Sequence, residues 1–88
     1  MHIVIKYFGI YQLLLGKVQH LDVKENSKLS QILYEVNEKI SILNPHLSIT
    51  TDDGRWRCKI VVNNTIVHND IVLNDEDEIK LMPIIGGG

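Results

Sequence analysis

The 88-residue sequence predicts an α+β domain in which a mixed sheet of about four to five strands carries one main helix across it. Two observations lead there. One mid-chain segment repeats its apolar residues at helical spacing, and short runs rich in β-branched and aromatic residues, punctuated by turn signals, stand on both sides of it.

The first run, HIVIKYF from His2 to Phe8, reads as a strand ended by Gly9. GIYQLLLG is expected to be a loop or partial turn closing at Gly16, and KVQHLDV places Val18, Leu21 and Val23 in a second strand. A hairpin is the simplest connection between the two. In NSKLSQILYEVNEKISILNP, Leu29, Ile32, Leu33, Val36, Ile40 and Leu43 form one apolar stripe, with Lys28, Gln31, Glu35, Glu38 and Lys39 off it. Ser27 is the expected N-cap. Pro45 should end the helix, because proline cannot continue the hydrogen-bond ladder and restricts Asn44 before it.

HLSITTDDGRWR is expected to be a loop with a turn at Asp53-Gly54. CKIVV and TIV then flank Asn63-Asn64, residues that tolerate the left-handed backbone of a tight hairpin turn. DEDEIKLMP supplies an acidic turn and a last strand, with Ile79 and Leu81 on one face and Lys80 and Met82 on the other.

A chain of this length forms one domain, buries roughly 60–65% of its unfolded surface, and leaves little room for a deep pocket. Its hydrophobic share of 44% and charged share of 23% are those of an ordinary globule, and a net charge of −2 argues against a general nucleic-acid binder. The two halves differ in sign. Residues 1–44 carry five basic and four acidic side chains and residues 45–88 four and seven, which points weakly to a basic partner. A single cysteine and the lack of a cationic-then-apolar leader lead us to expect a cytoplasmic protein, and no apolar run approaches the roughly 20 residues that span a bilayer.

Few side chains suggest chemistry. His2, His20, His46 and His68 lack metal-ligand spacing among themselves or with Cys58, so no metal is expected. Cys58 reads as a small core hydrophobe, and DEDE as a solvated turn, with docking to a basic partner the second reading. RWRCK reads as a solvated strand edge on which Trp56 covers the core rim.

From Val62 onward the chain resembles the small subunit of molybdopterin synthase and its relatives, the ubiquitin-like β-grasp sulfur carriers, a group that includes the archaeal ubiquitin-like small modifiers. VNNTIV sits where that family has a Val-Asn hairpin, and LNDEDEIKLMPIIGGG matches the family's end without a gap. Asp75, Asp77 and Glu78 take the acidic positions and Pro83 the first proline, while Ile84 stands where a second proline is common. Gly87 and Gly88 match the terminal pair, and Gly86 the small residue before it. Glu76 replaces the usual turn glycine, so a different backbone form is expected at that turn.

The resemblance implies a β-grasp domain over residues 1–83 and a flexible tail over 84–88, with no catalytic constellation of its own. A ubiquitin-activating-like adenylyltransferase, using ATP and magnesium, would adenylate the Gly88 carboxylate. A sulfur donor would then convert it to a thiocarboxylate. The acceptor would be the large subunit of molybdopterin synthase or, in other branches, the machinery of tRNA thiolation or thiamine synthesis. In the modifier branch Gly88 would instead join to lysines of target proteins. Gly86 and Gly87 suit a narrow channel because they have no Cβ, and five extended residues from Ile84 reach about 17 Å. Much of the binding must then come from the folded domain, where Met82, Pro83 and Ile84 are the expected docking residues. No direct nucleic-acid or membrane partner is expected.

Overall fold

The computed structural model describes residues 1–50 and 55–84. The expected turn at Asp53-Gly54 and the residues from Ile85 to Gly88 lie outside the described residues. In chain order the elements are β1 (His2–Tyr7), α1 (Ile10–Leu15), β2 (Val18–Asp22), α2 (Leu29–Leu43), a 3₁₀ turn (Pro45–Leu47), β3 (Cys58–Val62), β4 (Thr65–Ile66) and β5 (Glu78–Pro83).

The five strands form one sheet in the order β2-β1-β5-β3-β4. β1 and β5 pair in parallel at its centre, from Val4 opposite Glu78 to Tyr7 opposite Leu81, while every other pair is antiparallel. The sheet is therefore mixed. Alternation decides what each strand buries: Ile3, Ile5 and Tyr7, Ile60 and Val62, and Ile79 and Leu81 point to one face. Against them pack Leu29, Ile32, Leu33, Val36 and Ile40 of α2, five of the six stripe residues. Leu43 is the exception, 56% exposed, because the last turn of α2 overhangs the core before Asn44 turns extended ahead of Pro45.

Three local expectations are corrected. GIYQLLLG contains a six-residue helix, α1, which brings Tyr11 into the core and lays Leu14 and Leu15 against it. A helix this short carries too few turns to show a periodicity. Second, Ser27 does not cap α2. Its hydroxyl donates to the Lys24 carbonyl at 2.6 Å, and Lys28 takes the cap position with its amide donating to Gln31 Oε1 at 2.7 Å. Asp70, 40 residues away, supplies the side-chain cap: one carboxylate oxygen accepts from Ser30 N–H at 2.8 Å and the other from the Ser30 hydroxyl at 2.7 Å. Third, the acidic turn is not wholly solvated. Asp77 is only 6% exposed.

Candidate functional site

The features that hold the last described strand gather at the two ends of β5. At its start, Asp77 holds three groups together. Its Oδ1 accepts from Asn63 Nδ2 at 2.7 Å, its Oδ2 from Asn74 N–H at 2.7 Å, and Asn63 Oδ1 in turn accepts from Glu78 N–H at 2.9 Å. Asn63 and Asn64 sit at φ +49° and +70°, as a two-residue hairpin turn demands, so the hairpin and the acidic turn are locked to each other. Glu76 adopts φ +67°, the half of the map where glycine is at home, so the missing glycine leaves the left-handed form in place. Two hydrogen bonds to the His2 backbone hold that turn: Glu76 N–H donates to the His2 carbonyl at 2.7 Å, and His2 N–H donates to the Asp75 side chain at Oδ1, also 2.7 Å.

At its other end β5 finishes at Pro83. A Cβ placed on Gly9 would lie 2.7 Å from Pro83 Cγ, and Gly9 holds φ +59°. Glycine is thus required there twice over, by backbone and by contact. Phe8 N–H donates to the Leu81 carbonyl at 3.1 Å, so the end of β1 and the end of β5 are held side by side. Met82 and Pro83 are half-buried, and Ile84 is 65% exposed. All three line an open trough of about 960 Å³ beside β3, together with Trp56 and Lys59. Gly86, Gly87 and Gly88 lie outside the described residues.

The open face of the sheet is a mosaic of apolar and charged side chains. Lys6 Nζ lies 3.0 Å from Glu78 Oε2 and Lys80 Nζ 3.8 Å from Glu78 Oε1, while Lys80 also donates to Asn64 Oδ1 at 3.1 Å. Val18 and Ile66 are exposed near opposite edges of the sheet. On the buried face, desolvation raises the Cys58 thiol to about 12 and the Tyr7 phenol to about 12. Cys58 is therefore protonated and inert at neutral pH, the core residue its surroundings suggest, and Tyr7 donates to Gln19 Oε1 at 2.6 Å. Trp56 packs partly buried at the core rim. His2 and His20 stack with ring centroids 5.1 Å apart, and among the described residues no group of three or more His, Cys, Asp or Glu is placed to hold a metal ion.

Two contributors escaped the sequence reading. Asp77 gave no sign of burial within a run of four acids, and Gly9 looked like a strand end rather than the seat of Pro83. The positive φ of Gly9 is visible only once β5 lies beside it.

The model of the ThiS family matches residues 5–88, nearly the whole chain and through its last glycine. The chain belongs to the ThiS family. It is thereby one of the ubiquitin-like β-grasp sulfur carriers and modifiers. No curated protein sequence matches this ThiS-family chain. Solved structures match it in fold. Small archaeal modifier protein 1 of Haloferax volcanii is 18% identical with a TM-score of 0.76, covering 96% of this chain and 98% of that one. Urm1 of Trypanosoma brucei is 21% identical with a TM-score of 0.76, covering 99% and 95%. Subunit 1 of the molybdopterin-converting factor of Helicobacter pylori, solved in complex with subunit 2, is 24% identical with a TM-score of 0.60, covering both chains fully. Among the described residues no helix is long and apolar enough to cross a membrane.

Proposed function

We propose that this ThiS-family chain is a sulfur carrier, acting in molybdopterin biosynthesis, whose reactive group is the Gly88 carboxylate. The observation that carries the reading is that the family match runs through Gly88 and so includes the Gly-Gly pair. A carboxylate is ionised at neutral pH and resists nucleophiles until it is activated. Its oxygen attacks the α-phosphorus of ATP on a partner adenylyltransferase that also holds magnesium, and pyrophosphate leaves. A sulfide-level nucleophile then attacks the acyl carbon and AMP leaves, so the chain ends in a thiocarboxylate. The catalytic groups belong to the partners, and this chain contributes the tail and its docking surface.

The position of β5 supports that division. It is the central strand of the sheet, anchored by Asp77 at its start, so its end at Pro83 is a firm base from which Ile84 leads out. Met82, Pro83 and Ile84 give a partner an apolar contact beside that base. The Helicobacter pylori relative is solved with its second subunit, which favours a large-subunit partner for this chain as the sulfur acceptor. The modifier named among the fold relatives supplies the second reading, conjugation of Gly88 to lysines of target proteins.

Fragment mass spectrometry of the protein recovered from its native cells separates the two. Sulfur in place of oxygen at the Gly88 carboxyl supports carriage. A Gly88 isopeptide on lysines of other proteins, without sulfur at Gly88, overturns carriage in favour of modification. Deleting Gly87 and Gly88 is expected to abolish ATP-dependent activation while the melting temperature stays within about 2 °C.

A further inference from the structure

Beyond Pro83 the chain has lost both of its sheet neighbours. β5 pairs with β3 as far as Cys58 opposite Pro83, and there the partner turns aside: Arg57 N–H donates to the Ile49 carbonyl at 2.7 Å, and Trp56 bridges to Thr50. On the other flank β1 pairs as far as Tyr7 opposite Leu81, and Phe8 N–H takes the Leu81 carbonyl before Gly9 leads away. Among the described residues no strand flanks Ile84.

Ile84 lines the trough of about 960 Å³ instead. Trp56, Ile60, Ile66 and Val67 make its walls largely apolar, and Ile66 is 48% exposed. The charges of the trough are separated. Asp70 is held by Ser30 at the α2 end, while Lys59 pairs across the strands with Met82, so its side chain rises on the same face beside the chain exit. Lys6 and Lys80 share Glu78, whereas Lys59 makes no ion pair with any described residue. An apolar wall with a cation beside it suits a short apolar segment that ends in a carboxylate.

The sequence carries such a segment next to the trough. Ile85 follows Ile84 directly, and Gly86, Gly87 and Gly88 follow Ile85. Four extended residues reach about 14 Å, and glycines let the backbone reverse within that length. One peptide bond ties Ile85 to a residue already in the lining, so its effective concentration at the trough is on the order of millimolar or above. That favours it over a second copy or a free partner making the same contact.

We propose that Ile85–Gly88 dock back into the trough of their own chain, with Ile85 against Trp56 and the Gly88 carboxylate on Lys59. The clasp holds the reactive end on the domain between encounters. Because Met82, Pro83 and Ile84 line the same trough, a partner that docks on them displaces the tail, and docking and release of the carboxylate become one event. The charge half of the proposal rests on the carrier reading, in which Gly88 ends in a carboxylate; the seating of Ile85 does not. One apolar side chain and one exposed ion pair, set against the ordering of three glycines, make a clasp that opens readily.

The test is NMR on the isotope-labelled full chain. Nuclear Overhauser contacts are expected from the Ile85 methyls to the Trp56 ring, and Ile85→Ser should shift the Trp56 and Val67 amides while Leu73 stays in place. Lys59→Glu, at an exposed position, should carry the Gly88 amide toward its value in a free Ile-Gly-Gly-Gly peptide, and about 0.5 M salt should do the same. The proposal is overturned if Ile85 makes no contact with Trp56, if the Gly88 amide ignores Lys59→Glu, or if the contacts in a mixed sample run only between labelled and unlabelled chains. Sulfur on Gly88 without the Ile85 contact removes the clasp and keeps the carrier; the contact without sulfur keeps the Ile85 seat and removes the carrier.

Discussion

At its start, β5 emerges from a turn in which Asp77, Asn63 and Asn74 exchange hydrogen bonds of 2.7 Å; at its end, Pro83 packs on Gly9 and Ile84 faces solvent. The same strand is held by buried polar groups at one end and by apolar contact at the other. The difference matches two tasks. For the carrier proposed above, a strand that presents a reactive chain end must not slide, and hydrogen bonds, being directional, fix its register; its exit must stay open to partners, and an apolar seat at Gly9 and Pro83 adds no polar side chain to desolvate there.

The largest effect belongs to neither end but to the core that both depend on. Ile32→Asp buries a charge within the core cluster of α2 and the sheet with no partner, and should unfold a domain whose whole stability is about 5–15 kcal/mol. Loss of the cooperative thermal transition is the readout; a folded variant would mean that α2 does not carry the core.

Breaking the polar end comes next. Asp77→Ala leaves Asn74 N–H and Asn63 Nδ2 unmatched, an expected loss of about 2–3 kcal/mol by denaturant titration, with Asp77→Asn losing less because one acceptor remains. A loss below about 0.5 kcal/mol would erase the contrast between the two ends.

Gly9→Ala strikes the apolar end. The added methyl meets Pro83 and a backbone at φ +59°, for an expected cost of about 2 kcal/mol. Unlike Asp77→Ala, it should move the Met82 and Ile84 amide resonances more than those of Asn63 and Asn74. The opposite pattern would show that Gly9 does not seat the chain exit.

The smallest effect is a gain. Glu76→Gly relieves a left-handed non-glycine residue and forgoes only an exposed contact between His2 Nδ1 and Glu76 Oε1 at 3.2 Å. A stabilisation of about 0.5–1 kcal/mol, or a rise of roughly 2–8 °C in melting temperature, is expected after the added chain entropy of glycine is offset. A fall would mean that the His2 contact outweighs the backbone strain.

Legibility followed the range of the interaction. The stripe of α2, the Asn63-Asn64 turn and the alternation of β5 were readable because each depends on neighbours within a few residues. Leu43 misled for the same reason: its spacing is right, but whether a helix end reaches the core depends on where the sheet stops. The helix at Ile10–Leu15 was too short for a period to show. Ser27 was a reasonable cap by type, yet the acceptor for Ser30 came from Asp70, which no local pattern connects to it.

By itself, the sequence determined the α+β class, the order of elements around α2, the turn positions it read through Asn and Pro, and the family that its last third resembles. The first three rest on backbone preference and apolar periodicity, which act locally, and the resemblance on the residues from Val62 onward. Only the tertiary structure decided that β1 and β5 pair in parallel at the centre, that Asp77 is buried, that Gly9 seats Pro83, and that Asp70 caps the start of α2 through Ser30. Each of these joins residues dozens of positions apart, and contacts of that kind exist only after the chain has closed on itself.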